Sequence, residues 1–164
     1  FFGFVYVGVM MSFIYQIREL QNGGEFVVLL FLAAWGNDTL AYCTGMLIGK
    51  HKMSPILSPK KSIEGLIGGI VGAAILGALY GMYLNTYIRF SFNPVTMFPI
   101  ICGLGGAVSV IGDLAASAIK RDSGIKDYGT LIPGHGGILD RFDSIIFIAP
   151  VIYYLTVMIS GGAI

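Results

Sequence analysis

Three observations predict an all-α fold, a polytopic bundle of membrane-spanning helices. Hydrophobic residues make up 55% of the 164-residue chain and charged residues only 12%, whereas charge runs near a quarter in soluble domains. The mean hydropathy is +0.81. Five apolar stretches, at 1–17, 25–45, 64–84, 95–119 and 144–161, are long enough to cross a bilayer, whose core takes about 20 residues of helix. A backbone in lipid must satisfy its hydrogen bonds within its own segment, so these stretches are helices and not strands.

The first stretch opens on Phe1-Phe2 without an initiator Met or a basic leader, unlike a signal peptide. The expectation is a single integral membrane domain over 1–164, the C-terminal part of a longer polytopic protein. The second stretch carries Asn37 and Asp38 in its interior. The third presents small residues at four-residue spacing, Gly65, Gly69, Ala73, Gly77 and Gly81, a row that lets another helix approach closely. It serves packing within the chain or a homodimer. No strand precedes its GGIVGAA run and no Walker pattern occurs, so it is not a nucleotide fingerprint. The fourth stretch carries Ser109, Asp113 and Ser117 on one face, and Asp140, Arg141 and Asp143 open the fifth.

The cations fix the expected topology. Lys50, Lys52, Lys60 and Lys61 lie between the second and third stretches, and Lys120, Arg121, Lys126 and Arg141 between the fourth and fifth. Positive loops face the cytoplasm. With a net charge of +1 and basic residues confined to two loops, nucleic acid is not an expected partner. Cys43 and Cys102 lack metal-ligand spacing and read as small apolar fillers.

An ionisable residue inside an apolar run is costly and marks function by default. Asp113 is such a residue; with Lys120 following on the same helix, it lies roughly 10 Å below that cation. Asp38 falls at a similar depth in the second helix. The pair points to a polar cavity opening to the cytoplasm, in which carboxylates hold a cation. Mg²⁺ suits it, because it takes oxygen ligands and binds through one or two carboxylates plus substrate phosphates. Asp140 reads as a further metal carboxylate and Asp143 as another ligand or the orienting partner of Arg141; capping of the fifth helix explains one of them as well. The turn Pro133-Gly134-His135-Gly136-Gly137 allows backbone N–H groups to converge on an anion. In the other basic loop, Ser62 is an expected N-cap with Glu64 in the first turn. Lys60 and Lys61 anchor the loop to lipid headgroups or bind phosphate. The residues together indicate metal-dependent phosphate chemistry at a membrane surface.

From Ser117 to Asp143 the chain reads Ser-x-x-Lys-Arg, then Lys-Asp, then Pro-x-His-Gly-Gly-x-x-Asp-Arg-x-Asp. This resembles the signature of the phosphatidate cytidylyltransferases, the CDP-diacylglycerol synthases, and the bacterial members in particular. The segments WGNDTLAY (35–42) and SPKKSIEG (58–65) and the Gly112-Asp113 pair also look like family elements, with Ser62 where a threonine is more usual.

The resemblance implies an enzyme of a bacterial inner membrane that joins CTP and phosphatidic acid into CDP-diacylglycerol and pyrophosphate, with membrane lipids around it. On that reading Asp113 and Asp140 hold Mg²⁺, with Asp38 and Asp143 as further candidates and the number of ions, one or two, left open. Lys120, Arg121 and Arg141 join them in catalysis. Ser58, Lys60, Lys61, Ser117, Lys126, Asp127, His135, Gly136 and Gly137 bind substrate. The rival readings are a CTP-dependent lipid kinase, which would release CDP, and a cation- or proton-coupled transporter, which would need acids along a complete pathway.

Overall fold

The computed structural model describes residues 4–54, 58–125, 127–129, 137 and 139–160, the side chains at positions 4, 6, 59 and 60 excepted. Lys126, Pro133, Gly134, His135 and Gly136 lie outside the described residues. The architecture is the expected helix bundle. A π-helical segment (Phe4–Val9) leads into α1 (Met10–Glu19). Next, α2 (Gly23–Phe31), a π-helical turn (Leu32–Gly36) and α3 (Asn37–Ile48) run on as one helix, Gly23–Ile48. Two short strands, β1 (Lys52–Ser54) and β2 (Ser58–Ser62), precede α4 (Ile63–Asn85), α5 (Pro94–Asp122) and α6 (Leu139–Ile159).

Among the described residues, four helices are long and apolar enough to cross a membrane: Gly23–Ile48, Ile63–Asn85, Pro94–Asp122 and Leu139–Ile159. The first expected stretch is helical as far as Glu19 and packs on α6. The long helices alternate in direction, so both basic connections fall at one end of the bundle. Leu20, Asn22, Arg89, Phe92 and Ser160 gather around a small cleft at the other end.

The small-residue row on α4 shows why the helices sit as they do. Gly65, Gly69, Ala73, Gly77 and Gly81 are all buried, while Ile67, Val71, Ile75 and Leu79 on the opposite face are exposed. In water that apolar face would be a liability; in lipid it is the solvent-matched surface. The glycines are spent on contacts within the chain. A Cβ on Gly77 would stand 2.6 Å from the Phe98 carbonyl oxygen, and one on Gly65 2.7 Å from that of Ala41. So α4 lies against α3 at its start and against α5 further along, with backbones near van der Waals contact. Buried side chains of α2, α5 and α6, among them Leu29, Leu30, Ile101, Ile145 and Ile152, fill the rest of the core. An aromatic group of Phe26, Phe90, Phe92, Phe98 and Tyr80 closes its far end. Cys102 is buried in this core, but Cys43, expected as a filler, is exposed.

The loop before α4 departs from an irregular connection. Strands β1 and β2 pair antiparallel, Lys52 opposite Ser62 and Ser54 opposite Ser58, with an irregularity between. The hairpin is pinned at its base. Glu64 accepts from the backbone N–H groups of Lys50 (3.1 Å) and His51 (3.2 Å) and meets His51 Nδ1 at 2.6 Å. Ser62 caps α4 as expected, its Oγ accepting from the Gly65 N–H at 3.1 Å.

Candidate active site

The hairpin, α3, α4 and α5 enclose a cavity of about 530 Å³ at the end of the bundle that carries the basic loops. From α3 it takes Asp38, Ala41, Tyr42, Gly45 and Met46, the i, i+3, i+4, i+7, i+8 positions of one helix face. Ser58, Lys61, Lys52 and Met53 come from the hairpin, and Leu66, Val110 and Asp113 from α4 and α5. Asp38 and Asp113, expected at similar depth, thus share one cavity. Lys61 enters it and pairs with Asp113 Oδ2. The wall is otherwise largely apolar, which weakens screening between these charges. Lys52, expected only as one of the loop's topology-setting cations, and Met53 had no expected place in the site; no local signal shows that the hairpin brings them to the cavity.

A second charged group lies beside this one. Lys120 Nζ donates to Asp140 Oδ1 at 2.9 Å and stands 3.8 Å from Asp143 Oδ2. The three side chains are only 12%, 6% and 7% exposed, so each acid needs the lysine. Asp140, expected to share a metal with Asp113, has both oxygens engaged: Oδ2 accepts from the backbone N–H groups of Tyr128 (2.8 Å) and Gly137 (2.9 Å). It thereby holds the backbone at Tyr128 and at Gly137. Asp143 Oδ1 accepts from the Ser144 N–H at 2.8 Å. Lys120, Asp140 and Asp143 do not line the cavity, but Lys120 follows Asp113 by two turns of α5, at the same end of the bundle.

Tyr128 had no expected role. Its hydroxyl donates to the Ala116 carbonyl at 3.3 Å, and Lys120 Nζ sits 5.2 Å from its ring centroid. Burial pushes the Tyr128 phenol above its ordinary pKa, and the nearby Asp143 and Asp140 add to this against the opposing Lys120 charge. It stays protonated at neutral pH and can keep donating. Arg121 and Asp127 are exposed at this end and Ser117 is half-buried. The backbone carbonyl of Arg141 accepts from Trp35 Nε1 at 3.3 Å, which ties α6 to the π-helical turn.

Below the cavity, Asn37 Nδ2 donates to Ser109 Oγ at 3.2 Å, and Ser109 Oγ donates to the Gly106 carbonyl at 2.8 Å. Ser109 thus does not extend the polar stripe toward the cavity. It is fully buried and faces α3.

A family model described as the cytidylyltransferase family matches residues 1–159. The chain belongs to this family. Similar members are the phosphatidate cytidylyltransferases of Staphylococcus saprophyticus, 38% identical over 154 residues, and Staphylococcus aureus strain COL, 40% identical over 154 residues. The matches cover 94% and 93% of this chain and 56% of each relative. A third, from Staphylococcus epidermidis, is 38% identical over 152 residues. The chain thus spans about half the length of the curated relatives it matches. In this member of the family, the carboxylates that line the cavity are Asp38 and Asp113. No three His, Cys, Asp or Glu side chains form a metal-binding group among the described residues. Two carboxylates on facing helices still match what Mg²⁺ needs when substrate phosphates complete its shell.

Proposed function

We propose that the protein carrying this chain is a phosphatidate cytidylyltransferase, making CDP-diacylglycerol and pyrophosphate from CTP and phosphatidic acid. The observation that carries this reading is the cavity holding Asp38, Asp113 and Lys61 at the basic end of a lipid-facing bundle. The names of the relatives support it. By the positive-inside rule the cavity opens to the cytoplasm, where CTP enters from water while the diacyl tails stay in lipid.

A phosphate oxygen of phosphatidic acid attacks the α-phosphorus of CTP, forming a P–O bond, and the bond to the β-phosphate oxygen breaks to release pyrophosphate. The nucleophile is already an anion near neutral pH, so no strong base is needed. Positioning and charge neutralisation are the remaining tasks. Asp38 and Asp113 would hold Mg²⁺, which supplies neutralisation of the triphosphate charge. Lys61 and Lys52 bring cations to the cavity wall for phosphate oxygens. Lys120, fixed by Asp140 and Asp143, keeps a third cation beside it in one orientation.

Release of pyrophosphate from CTP by the intact protein in lipid, dependent on both phosphatidic acid and Mg²⁺, tests the reading. CDP as the nucleotide product would replace it with γ-phosphate transfer. No nucleotide turnover by folded protein would remove it.

A further inference from the structure

We propose that Asn37 is a positioning residue, clamping α3 to α5 so that Asp38 and Asp113 keep their spacing across the cavity; the catalytic side of this inference rests on the cytidylyltransferase reading above. Asn37 is fully buried and immediately precedes Asp38. Its partner Ser109, also fully buried, lies one helical turn before Asp113 on the same face of α5. The hydrogen bond of 3.2 Å between them therefore joins the two helices within a turn of each acid.

The surroundings are shaped around this amide. A Cβ on Gly69 of α4 would stand 2.7 Å from Asn37 Oδ1, and one on Gly106 of α5 3.1 Å from it. Two neighbouring helices therefore make room for Asn37. Its Oδ1 has no hydrogen-bond partner among the described residues, a cost that an apolar side chain of similar size would avoid. Stability alone does not account for an amide here. The π-helical turn Leu32–Gly36 ends at Asn37. Such a turn carries an extra residue and re-aims the helix beyond it, and Thr39 Oγ1 satisfies the Trp35 carbonyl at 2.8 Å. The turn sets the phase of Asn37 and Asp38, and the bond to Ser109 locks it.

The test is made on the intact protein in lipid. The double variant Asn37→Leu/Ser109→Ala removes donor and acceptor together, leaving an apolar contact that holds or raises the thermal midpoint. It is expected to raise the Mg²⁺ concentration for half-maximal turnover by about tenfold or more, an effect that a stability role would not produce. Should it fail to fold, Ser109→Ala alone carries the same expectation. Spin labels at Cys43 and Ile111→Cys, exposed sites on α3 and α5, report the interhelical distance without any turnover. The expected result is a broader distribution in the clamp variant. Wild-type Mg²⁺ dependence or an unchanged distance distribution overturns the proposal. If the unaltered protein makes no pyrophosphate, the reaction assignment fails by itself, and the spin-label distances still decide the clamp.

Discussion

Lys61 and Asp113 form an ion pair across the cavity, joining the second hairpin strand to the middle of α5 over 52 residues of chain. The side chains are 27% and 26% exposed, so water screens the pair in part. With this contact the hairpin becomes part of the site.

Asp113→Asn is therefore expected to act twice. It leaves Lys61 without its anion, at a cost of about 1–2 kcal/mol that shrinks in high salt. It also removes a proposed metal ligand, lowering turnover about a hundredfold or more. Thermal unfolding at two salt concentrations, alongside CTP turnover, separates the effects; a variant with wild-type turnover would refute the metal assignment.

Lys120→Met tests the adjoining group. Asp140 and Asp143 would lose their shared cation while remaining almost wholly buried, and breaking such an arrangement costs about 3 kcal/mol or more. The expected outcome is a thermal midpoint lower than that of Arg121→Met, whose target side chain is exposed. Equal midpoints would show that the acids do not depend on Lys120.

Asp140→Ala should release the backbone at Tyr128 and Gly137. With the acceptor of the Tyr128 and Gly137 N–H groups gone, both amides are expected to exchange hydrogen faster, while Asp143→Ala leaves them protected. Unaltered protection in Asp140→Ala would rule out this role.

Gly77→Ala should destabilise the bundle by about 1–3 kcal/mol, because its Cβ would meet the Phe98 carbonyl and force α4 from α5. Gly24→Ala meets nothing within 4 Å and should be neutral or stabilising by up to about 1 kcal/mol. Unfolding in matched lipid compares the pair; similar midpoints would mean that α4 and α5 can separate without loss.

The helices, the direction of the glycine row and the Ser62 cap were legible because each follows from local composition or short spacing. Asp38 and Asp113 were legible as a pair because a charge in an apolar run is visible without knowing its neighbours. The hairpin was not, since Lys52 and Ser62 pair across a proline-containing loop with no strand pattern. Nor was the engagement of Asp140, whose oxygens are taken by a lysine 20 residues away and by two backbone N–H groups. Asn37 was visible as a polar residue, but its link to Ser109 spans 72 residues and depends on the turn before it. The sequence LAAWG carries no mark distinguishing a π-helical turn from an α-helical one.

That turn makes the chain unequally tolerant of changes in length. A π-helical turn holds one residue more than an α-helical turn over nearly the same rotation, so losing one residue between Leu32 and Gly36 would restore regular winding and leave the rest of α3 close to its present phase. Losing one within Asn37–Ile48 would instead turn everything beyond it by about 100°. Lost at Thr39, for example, one residue would turn Ala41 away from Gly65 and Tyr42, Gly45 and Met46 away from the cavity. A missing codon would thus be absorbed in one stretch of this helix and, a few residues later, would displace a cavity wall and a helix contact together.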